Sequence, residues 1–379
     1  MNILTINSQN LSPPASYQTN SDYILLSIAY NPNYLSLYKE KQFIIPSALK
    51  DLNISVVIPN YNGVHLFPET LPALYRALEH SSKKYEIIIV DDCSTDNSIN
   101  FLKHNFPEII LLRNKKNSGF SITINKGIFA AKNELVLLLN SDVKLTEAYF
   151  SEQFRYFEQS DTFGVMGKII GWNDELIQDS AKYPEMQGFK LKTSLNCLVE
   201  NPKANEFIPS LYLSGANALV KREILHLLGG FDDLYSPFYM EDVDLSVRAW
   251  RCGFRCYFEP RAVCRHKTSE SIQNKEKKKY IRTIYNRNKF SFHAIHLSGL
   301  GFAGWLIQTI LELIFRLITF RTDFLNSFLA LIKNQQRVKQ SISNFDKICH
   351  KTGTKLSLNE VRKTIVKSLK NKEISFFRN

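Results

Sequence analysis

Short unbroken apolar runs alternate with stretches of helical spacing along the first half of the chain. Residues 54–59, 86–90, 109–112 and 135–139 read as buried strands. Residues 67–80, 96–105 and 120–132 read as the helices between them. Strands alternating with helices predict an α/β domain with a mainly parallel central sheet and right-handed crossovers. The second half is more mixed. Strands are expected at 163–170, 216–220, 254–258 and 262–265, and helices at 221–228 and 242–252, with Gly229, Gly230 and Gly253 as stops. Residues 171–210 read as an irregular segment looping over the site. Residues 1–50, rich in turn signals, read as an extension packed on the main domain.

Polar residues gather where the strands end: Asn60, Asp91, Asp92 and Asp142. In open α/β sheets a ligand sits outside the carboxyl ends of the strands, so these positions converge on one crevice. Asp142, at the mouth of a strand, suits a hard divalent cation such as Mg²⁺ or Mn²⁺, although it could equally cap a helix starting near Thr146. Asp91 and Asp92 could accept from a base or ribose, or simply shape a turn. Gly119 opens a helix whose free N–H groups suit an oxyanion. In Glu241-Asp242-Val243-Asp244, three carboxylates begin a helix behind the apolar approach Phe238-Tyr239-Met240. Partial burial there would suit a general base at Glu241 or Asp242, with Asp244 as the capping residue. His266, just past a strand, becomes a metal ligand only if it reaches Asp142.

Charge divides the chain. The formal net charge of +12 is the sum of −5 over residues 1–260 and +17 over residues 261–379. A basic third attracts an anionic partner: a membrane face, phosphate or nucleic acid. No nucleic-acid reading motif accompanies it, and no nucleic-acid partner is expected. Six cysteines without framework spacing predict reduced thiols. Cys252, Cys256, Cys264 and His266 could suggest zinc, but the cysteines fall in helix and strand positions. The opening MNILTINSQNLSPP has neither a basic region nor a long apolar one, so no secretory leader is expected.

Residues 290–311 contain no Asp, Glu, Lys or Arg, yet Gly299, Gly301 and Gly304 interrupt the run. Beyond them Gln308, Glu312 and Arg316 recur every four residues, one polar stripe on an otherwise apolar helix. Such a helix lies in a membrane interface or packs on the catalytic domain. The flanking Lys275–Lys279, Arg321, Lys333, Arg337 and Lys339 favour anionic headgroups. Peripheral attachment through residues 297–335 is expected rather than a span.

Taken in order, Ser55-Val-Val-Ile-Pro-Asn-Tyr-Asn-Gly63, Val90-Asp-Asp-Cys-Ser-Thr-Asp96, Asn117-Ser-Gly-Phe120 with Asn125-Lys-Gly127, Leu138-Leu-Asn-Ser-Asp142, Ser214-Gly-Ala-Asn-Ala218, Gly229-Gly-Phe-Asp232 and Glu241-Asp-Val-Asp-Leu245 with Arg248 resemble the family 2 glycosyltransferases of the GT-A fold, closest to the rhamnosyltransferase-like bacterial branch. Seven ordered matches over residues 53–290 are far more specific than any one. The resemblance implies a GT-A catalytic domain over 51–292, an N-terminal extension over 1–50, and a basic helical region over 293–379. It implies an inverting, metal-dependent, non-processive hexosyltransferase. The donor would be a nucleotide sugar (dTDP-rhamnose, or a UDP- or GDP-sugar) and the acceptor a glycan or lipid-linked saccharide in cell-surface polysaccharide synthesis. The enzyme would act in the cytoplasm, on the cytoplasmic membrane face. Pro59, Tyr61, Asn62, Asp91, Asp92, Asn117, Gly119, Phe120, Asn125 and Ser141 would hold the nucleotide sugar. Asp142 and His266 would hold the metal, and Asp242, with Glu241 beside it, would be the base. Asn140-Ser141-Asp142 departs from the family's Asp-x-Asp. A non-catalytic nucleotide-sugar-binding protein is the alternative. A processive synthase is disfavoured, because neither a Gln-x-x-Arg-Trp motif nor several spans are found.

Overall fold

The computed structural model describes residues 52–267, 275–318 and 322–378. All of these lie in one compact unit. The extension expected over 1–50 lies outside the described residues, as does Arg321.

The first half follows its pattern closely. Strands β1 (Ile54–Asn60), β2 (Tyr85–Asp91), β3 (Ile110–Arg113) and β4 (Leu135–Leu139) alternate with helices α1 (Phe67–Ser81), α2 (Ser98–Asn105) and α3 (Phe120–Ala130). β4 pairs with β1, β1 with β2 and β2 with β3, all parallel. β1 and β4 are buried almost throughout, as strands covered on both faces must be. Gly127 lets α3 close on this sheet: a Cβ there would stand 2.4 Å from Val57 Cγ1 and 3.0 Å from Val90 Cγ2.

Further strands, short and long, extend the sheet beyond β4. β5 (Val143–Leu145) follows directly, then β6 (Thr162–Gly171), β13 (Asn217–Lys221) and β14 (Arg255–His266). With a short edge strand β12 (Ile208–Pro209), the main order is β12-β14-β6-β13-β4-β1-β2-β3. β13 runs antiparallel to both β4 and β6, so the sheet is mixed, with β4, β1, β2 and β3 parallel as expected. The strands expected at 254–258 and 262–265 are one strand with a register shift between Glu259 and Val263, where Pro260 lacks a ladder donor. No helix begins near Thr146. A turn leads instead to a 3₁₀ helix, Phe154–Glu158.

The segment expected to be irregular carries short strands: β7 (Ile177–Asp179), β8 (Ala181–Lys182), β9 (Glu185–Gln187), β10 (Lys190–Lys192), β11 (Asn196–Val199) and β12 (Ile208–Pro209). Helices α4 (Arg222–Leu227) and α5 (Glu241–Arg251) flank the sheet. Then follow α6 (Lys275–His296), α7 (Gly299–Ile318), α8 (Thr322–Lys333), α9 (Gln335–Thr352), α10 (Leu358–Leu369) and β15 (Ile374–Phe377).

The boundary expected at 292/293 falls inside α6, one continuous helix. The C-terminal region is tied to the rest by distant pairings. β15 pairs with β11, Arg251 and Leu356 exchange backbone and side-chain hydrogen bonds of 2.8 Å, and Ser341 Oγ donates to Asp232 at 2.5 Å. The cysteines considered for zinc are dispersed. Cys252 Sγ lies 3.9 Å from Cys349 Sγ, and Cys264 accepts from Asn217.

Candidate active site

The loops after β1, β2 and β4 meet at one end of the sheet, and their side chains are largely committed to each other. Asn60 donates to Asp91 Oδ1 at 3.0 Å, Ser94 N donates to Asp91 Oδ2 at 3.0 Å, and Arg113 lies 3.4 Å from the same oxygen. Asp91 is fully buried and holds these loops in place. Asp92 accepts from Asn114 at 2.8 Å and from the backbone N–H groups of Ser118 and Gly119 at 2.9 and 3.0 Å, so it sets the loop ahead of α3. Asn62, at φ +55°, accepts from the backbone of Thr95 and Asp96. Gly63 stands where a Cβ would meet Asn60 Oδ1 at 2.4 Å.

Other candidates face outward or inward in ways the motif does not reveal. Tyr61 is 54% exposed and Asn117 is exposed. Pro59 pairs with Val90. Gly119, at φ +83°, turns the chain into α3, and Phe120 packs edge-on to Phe231 at 5.5 Å. Asn125 clamps the loop after α4, donating to Phe231 O at 2.7 Å and accepting from Phe231 N at 2.9 Å. Ser141 Oγ lies beside Gly63.

Asp142 and His266 converge because β5 pairs with β14 and sets Val143 opposite His266. His266 Nε2 lies 3.4 Å from Asp142 Oδ2, and Asp142 Oδ1 is buried without a partner among the described residues. Gln178 Oε1 lies 2.9 Å from His266 Nδ1, which therefore donates and leaves Nε2 to face Asp142. The hydrogen bond to the Asp142 carboxylate raises the His266 pKa against the opposing effect of burial. Among the described residues no third metal-ligating side chain joins this pair. One carboxylate with a free oxygen and one imidazole are donors that would fit a hard divalent ion such as Mg²⁺ or Mn²⁺.

The acidic pair sits at the start of α5. Tyr239 and Met240 both have positive φ, +73° and +74°, and turn the chain sharply so that Glu241 and Asp242 face inward. Glu241 is buried, and its Oε2 has no partner among the described residues. Burial first, and then the Asp242 charge, push Glu241 up to about 8. Burial also raises Asp242, to about 6, against the N–H groups of Val243 and Gly215 and the charge of Lys182. Neighbouring carboxylates that are both raised do not readily ionise together, and Asp242 is the more acidic of the two.

Asp242 is linked to the Asp142 loop through the backbone. Gly215 N serves Asp242, and the next residue's carbonyl, Ala216 O, accepts from Asn140 N at 3.1 Å. Asp179 acts electrostatically on both His266 and Asp242 and pairs with Lys182. Tyr212 and Tyr285 also feel the Asp242 charge, and Tyr285 is hydrogen-bonded with Thr193. Gln178, Asp179, Lys182, Thr193, Tyr212 and Tyr285 were not expected from sequence. No periodic signal marks the first three, since Ile177-Gln-Asp-Ser-Ala-Lys182 does not alternate apolar and polar positions.

Asp244 does not cap α5. It points into the core, where Arg248 Nε donates at 2.7 Å, Tyr235 at 2.9 Å and His296 Nε2 at 3.0 Å. Burial works to raise this carboxylate, but Arg248 and His296 hold it at about 2.

This arrangement is the GT-A fold of nucleotide-sugar transferases. The crystal structure of GalNAc-T7 with UDP, GalNAc and Mn²⁺ superposes with a TM-score of 0.55 over 84% of this chain and 57% of its own, at 15% identity. The glycosyl transferase family 2 model matches residues 55–229, so that segment carries a family 2 glycosyltransferase domain. An uncharacterised glycosyltransferase of Nostoc sp. is 30% identical over 172 residues, 44% of this chain and 47% of that one. A poly(ribitol-phosphate) beta-glucosyltransferase of Bacillus spizizenii is 31% identical over 126 residues, 32% and 20% of the two chains. The amylovoran biosynthesis glycosyltransferase of Erwinia amylovora is 26% identical over 214 residues, 55% and 67%. The first two matches span from a fifth to about half of those relatives' lengths.

Proposed function

We propose that the protein is an inverting, non-processive hexosyltransferase. It moves a sugar from dTDP-rhamnose or a UDP- or GDP-sugar to a hydroxyl of a glycan or lipid-linked saccharide in cell-surface polysaccharide synthesis. The observation that carries the reading is Asp242: raised by burial and joined through Ser214–Asn217 to the loop that bears Asp142. Asp242 takes the proton of the acceptor hydroxyl, and that oxygen attacks the anomeric carbon as the bond to the diphosphate oxygen breaks. No covalent enzyme intermediate is required. Glu241, protonated beside it, keeps a single negative charge on the pair. Asp142 and His266 would hold a divalent ion, which when bound neutralises the departing diphosphate. The relatives' printed roles in poly(ribitol-phosphate) and amylovoran chemistry support a cell-surface acceptor.

The Asp142 assignment predicts a metal-linked loss. Asp142→Ala should weaken UDP binding in Mn²⁺ by about tenfold or more, while affinity in EDTA stays at the wild-type level. Calorimetry in both buffers checks this, and an equal loss in EDTA would remove Asp142 from the metal. Release of nucleotide from labelled donors tests transfer itself. Binding without turnover of any donor would select the non-catalytic alternative.

Attachment to the cytoplasmic membrane face belongs to the same reading. α7 is long and apolar enough to cross a membrane, with mean hydropathy 1.5, and little of it is buried. Leu300, Ile307, Leu311, Ile314, Phe315 and Ile318 are exposed, and Leu329 and Ile332 of α8 add to them. Its polar stripe is bound to the β9–β10 hairpin, contacts that a spanning helix would surrender, which supports a helix lying on the membrane surface. Vesicles of phosphatidylglycerol should float the protein, alkaline carbonate should strip it, and Leu311→Glu with Phe315→Glu should abolish flotation. Retention through carbonate would mean a span.

A further inference from the structure

The stripe of α7 faces a cavity of 340 Å³, walled by the β9–β10 hairpin and by α6, α7 and α8. Gln308 fixes the hairpin turn, accepting from Phe189 N at 2.8 Å and donating to Gln187 O at 3.2 Å. Gly188, at φ +61°, leaves room for that contact. Glu312 is paired with both Lys190 and Arg316. Lys192 and Lys289 also line the cavity, and neither has a carboxylate partner among the described residues. Four cations therefore face one carboxylate.

The remaining walls are neutral donors or apolar rings. His293 Nδ1 donates to Lys289 O at 2.7 Å, so Nε2, which accepts from Leu191 N at 3.0 Å, is unprotonated. Trp305 stacks on His293, and its buried indole N–H has no partner among the described residues. Burial first, then Lys192 and Lys190, push the Lys289 ammonium down to about 8. A bound anion would relieve that repulsion.

The cavity adjoins the groups around Asp242. The Lys289 ammonium lies 5.4 Å from the Tyr285 ring, one helical turn back, and Lys192 precedes Thr193, the hydrogen-bond partner of Tyr285. Resting on the transferase reading, we propose that this cavity binds the phosphate or diphosphate of the acceptor through Lys192, Lys289, Arg316 and the Trp305 indole N–H. Several convergent cations and an N–H donor match the many oxygens of a phosphate better than a lone carboxylate.

The test uses the full chain and inorganic pyrophosphate in EDTA, so that the Asp142 crevice cannot take the probe through a metal. Calorimetry should show binding that weakens about tenfold in Lys289→Met and in Lys192→Met, is largely kept in Lys289→Arg, and falls in Trp305→Phe. Thermal melting reports whether each variant folds, and Lys192→Met, at a partly exposed position, serves if Lys289→Met does not. Phosphatidylcholine vesicles with and without a polyprenyl diphosphate separate the sources. Retention only by the doped vesicles, lost in the lysine variants, identifies a lipid diphosphate. Pyrophosphate binding without such retention identifies the phosphate of a water-soluble polymer. No pyrophosphate binding, or equal affinity in folded lysine variants, overturns the proposal. UDP binding with Mn²⁺ on the same samples reads the crevice separately. Failure of UDP, GDP and dTDP alike to bind there would sink the transferase reading and leave the phosphate cavity standing.

Discussion

Asp242→Asn lowers transfer by roughly 10³-fold, about 4 kcal/mol of transition-state stabilisation, while UDP affinity in Mn²⁺ stays within a few fold of wild type. The amide keeps the volume and the hydrogen bond from Val243 N, which is 2.7 Å from Oδ1 in the native chain, but cannot take a proton. The pH profile provides a second, independent readout. A base must be deprotonated to act, so kcat/KM should climb with pH through about 6, where burial has raised Asp242, and level off above it. The groups around it lie on several elements: the N–H groups of Val243 and Gly215 and the charges of Lys182 on β8 and Asp179 on β7 act on Asp242, Glu241 stands beside it, and Tyr212 and Tyr285 on α6 feel its charge in turn. Loss of the acid limb in Asp242→Asn supports the assignment. A variant that keeps both rate and limb would move the base elsewhere, and one that loses donor affinity in proportion to rate would make Asp242 a binding residue.

Arg248→Met destabilises the fold by about 3–5 kcal/mol, because it strands the Asp244 carboxylate in the core without its cation. Arg248 also donates to Leu228 O at 2.5 Å and Gly230 O at 2.9 Å, so the loop after α4 loses its anchor as well. The expected fall in Tm is roughly 10 °C for a unit of this size. The same network sets the acid limit. Asp244, depressed to about 2, contributes stability that is present above the ordinary carboxylate range and lost as pH falls through it toward 2. Burial lowers His296 to about 4 and His293 to about 3, so protonation of the unfolded chain already erodes stability below about 6.5. Thermal melts across pH check both signs. Melting of Arg248→Met within a degree or two of wild type at neutral pH would show the pair to be dispensable.

The candidate residues divide by how local their signals are. Strand β4 followed by Asn140-Ser141-Asp142, and Glu241-Asp242 opening α5, were legible because an apolar run and the polar residues that end it are neighbours in the chain. The family motifs located the same loops. Yet a motif does not say which of its side chains face a ligand. Asp91, Asn62 and Asn125 have their polar atoms engaged by loops up to 106 residues away, and those partners exist only once the sheet has formed. Asp244 read as a cap because the helix start was visible, whereas Tyr235, Arg248 and His296, which turn it inward, come from three separate segments.

What the sequence alone determined is the α/β half-domain, the mouths of its strands, and the amphipathic character of α7, all properties of residues a few positions apart. Tertiary structure decided the rest. The antiparallel insertion of β13 between β4 and β6 is a long-range pairing that no local pattern records. Residues 177–199 form strands of two to four residues, too short for a hydrophobic period, whose backbone is satisfied only by partners as distant as β15. Those strands bring Asp179 and Lys182 to the base and Lys190 and Lys192 to α7. There the polar stripe, which by periodicity alone suited solvent or a membrane interface equally, faces a cationic cavity because Gln308 and Glu312 find their partners on the β9–β10 hairpin.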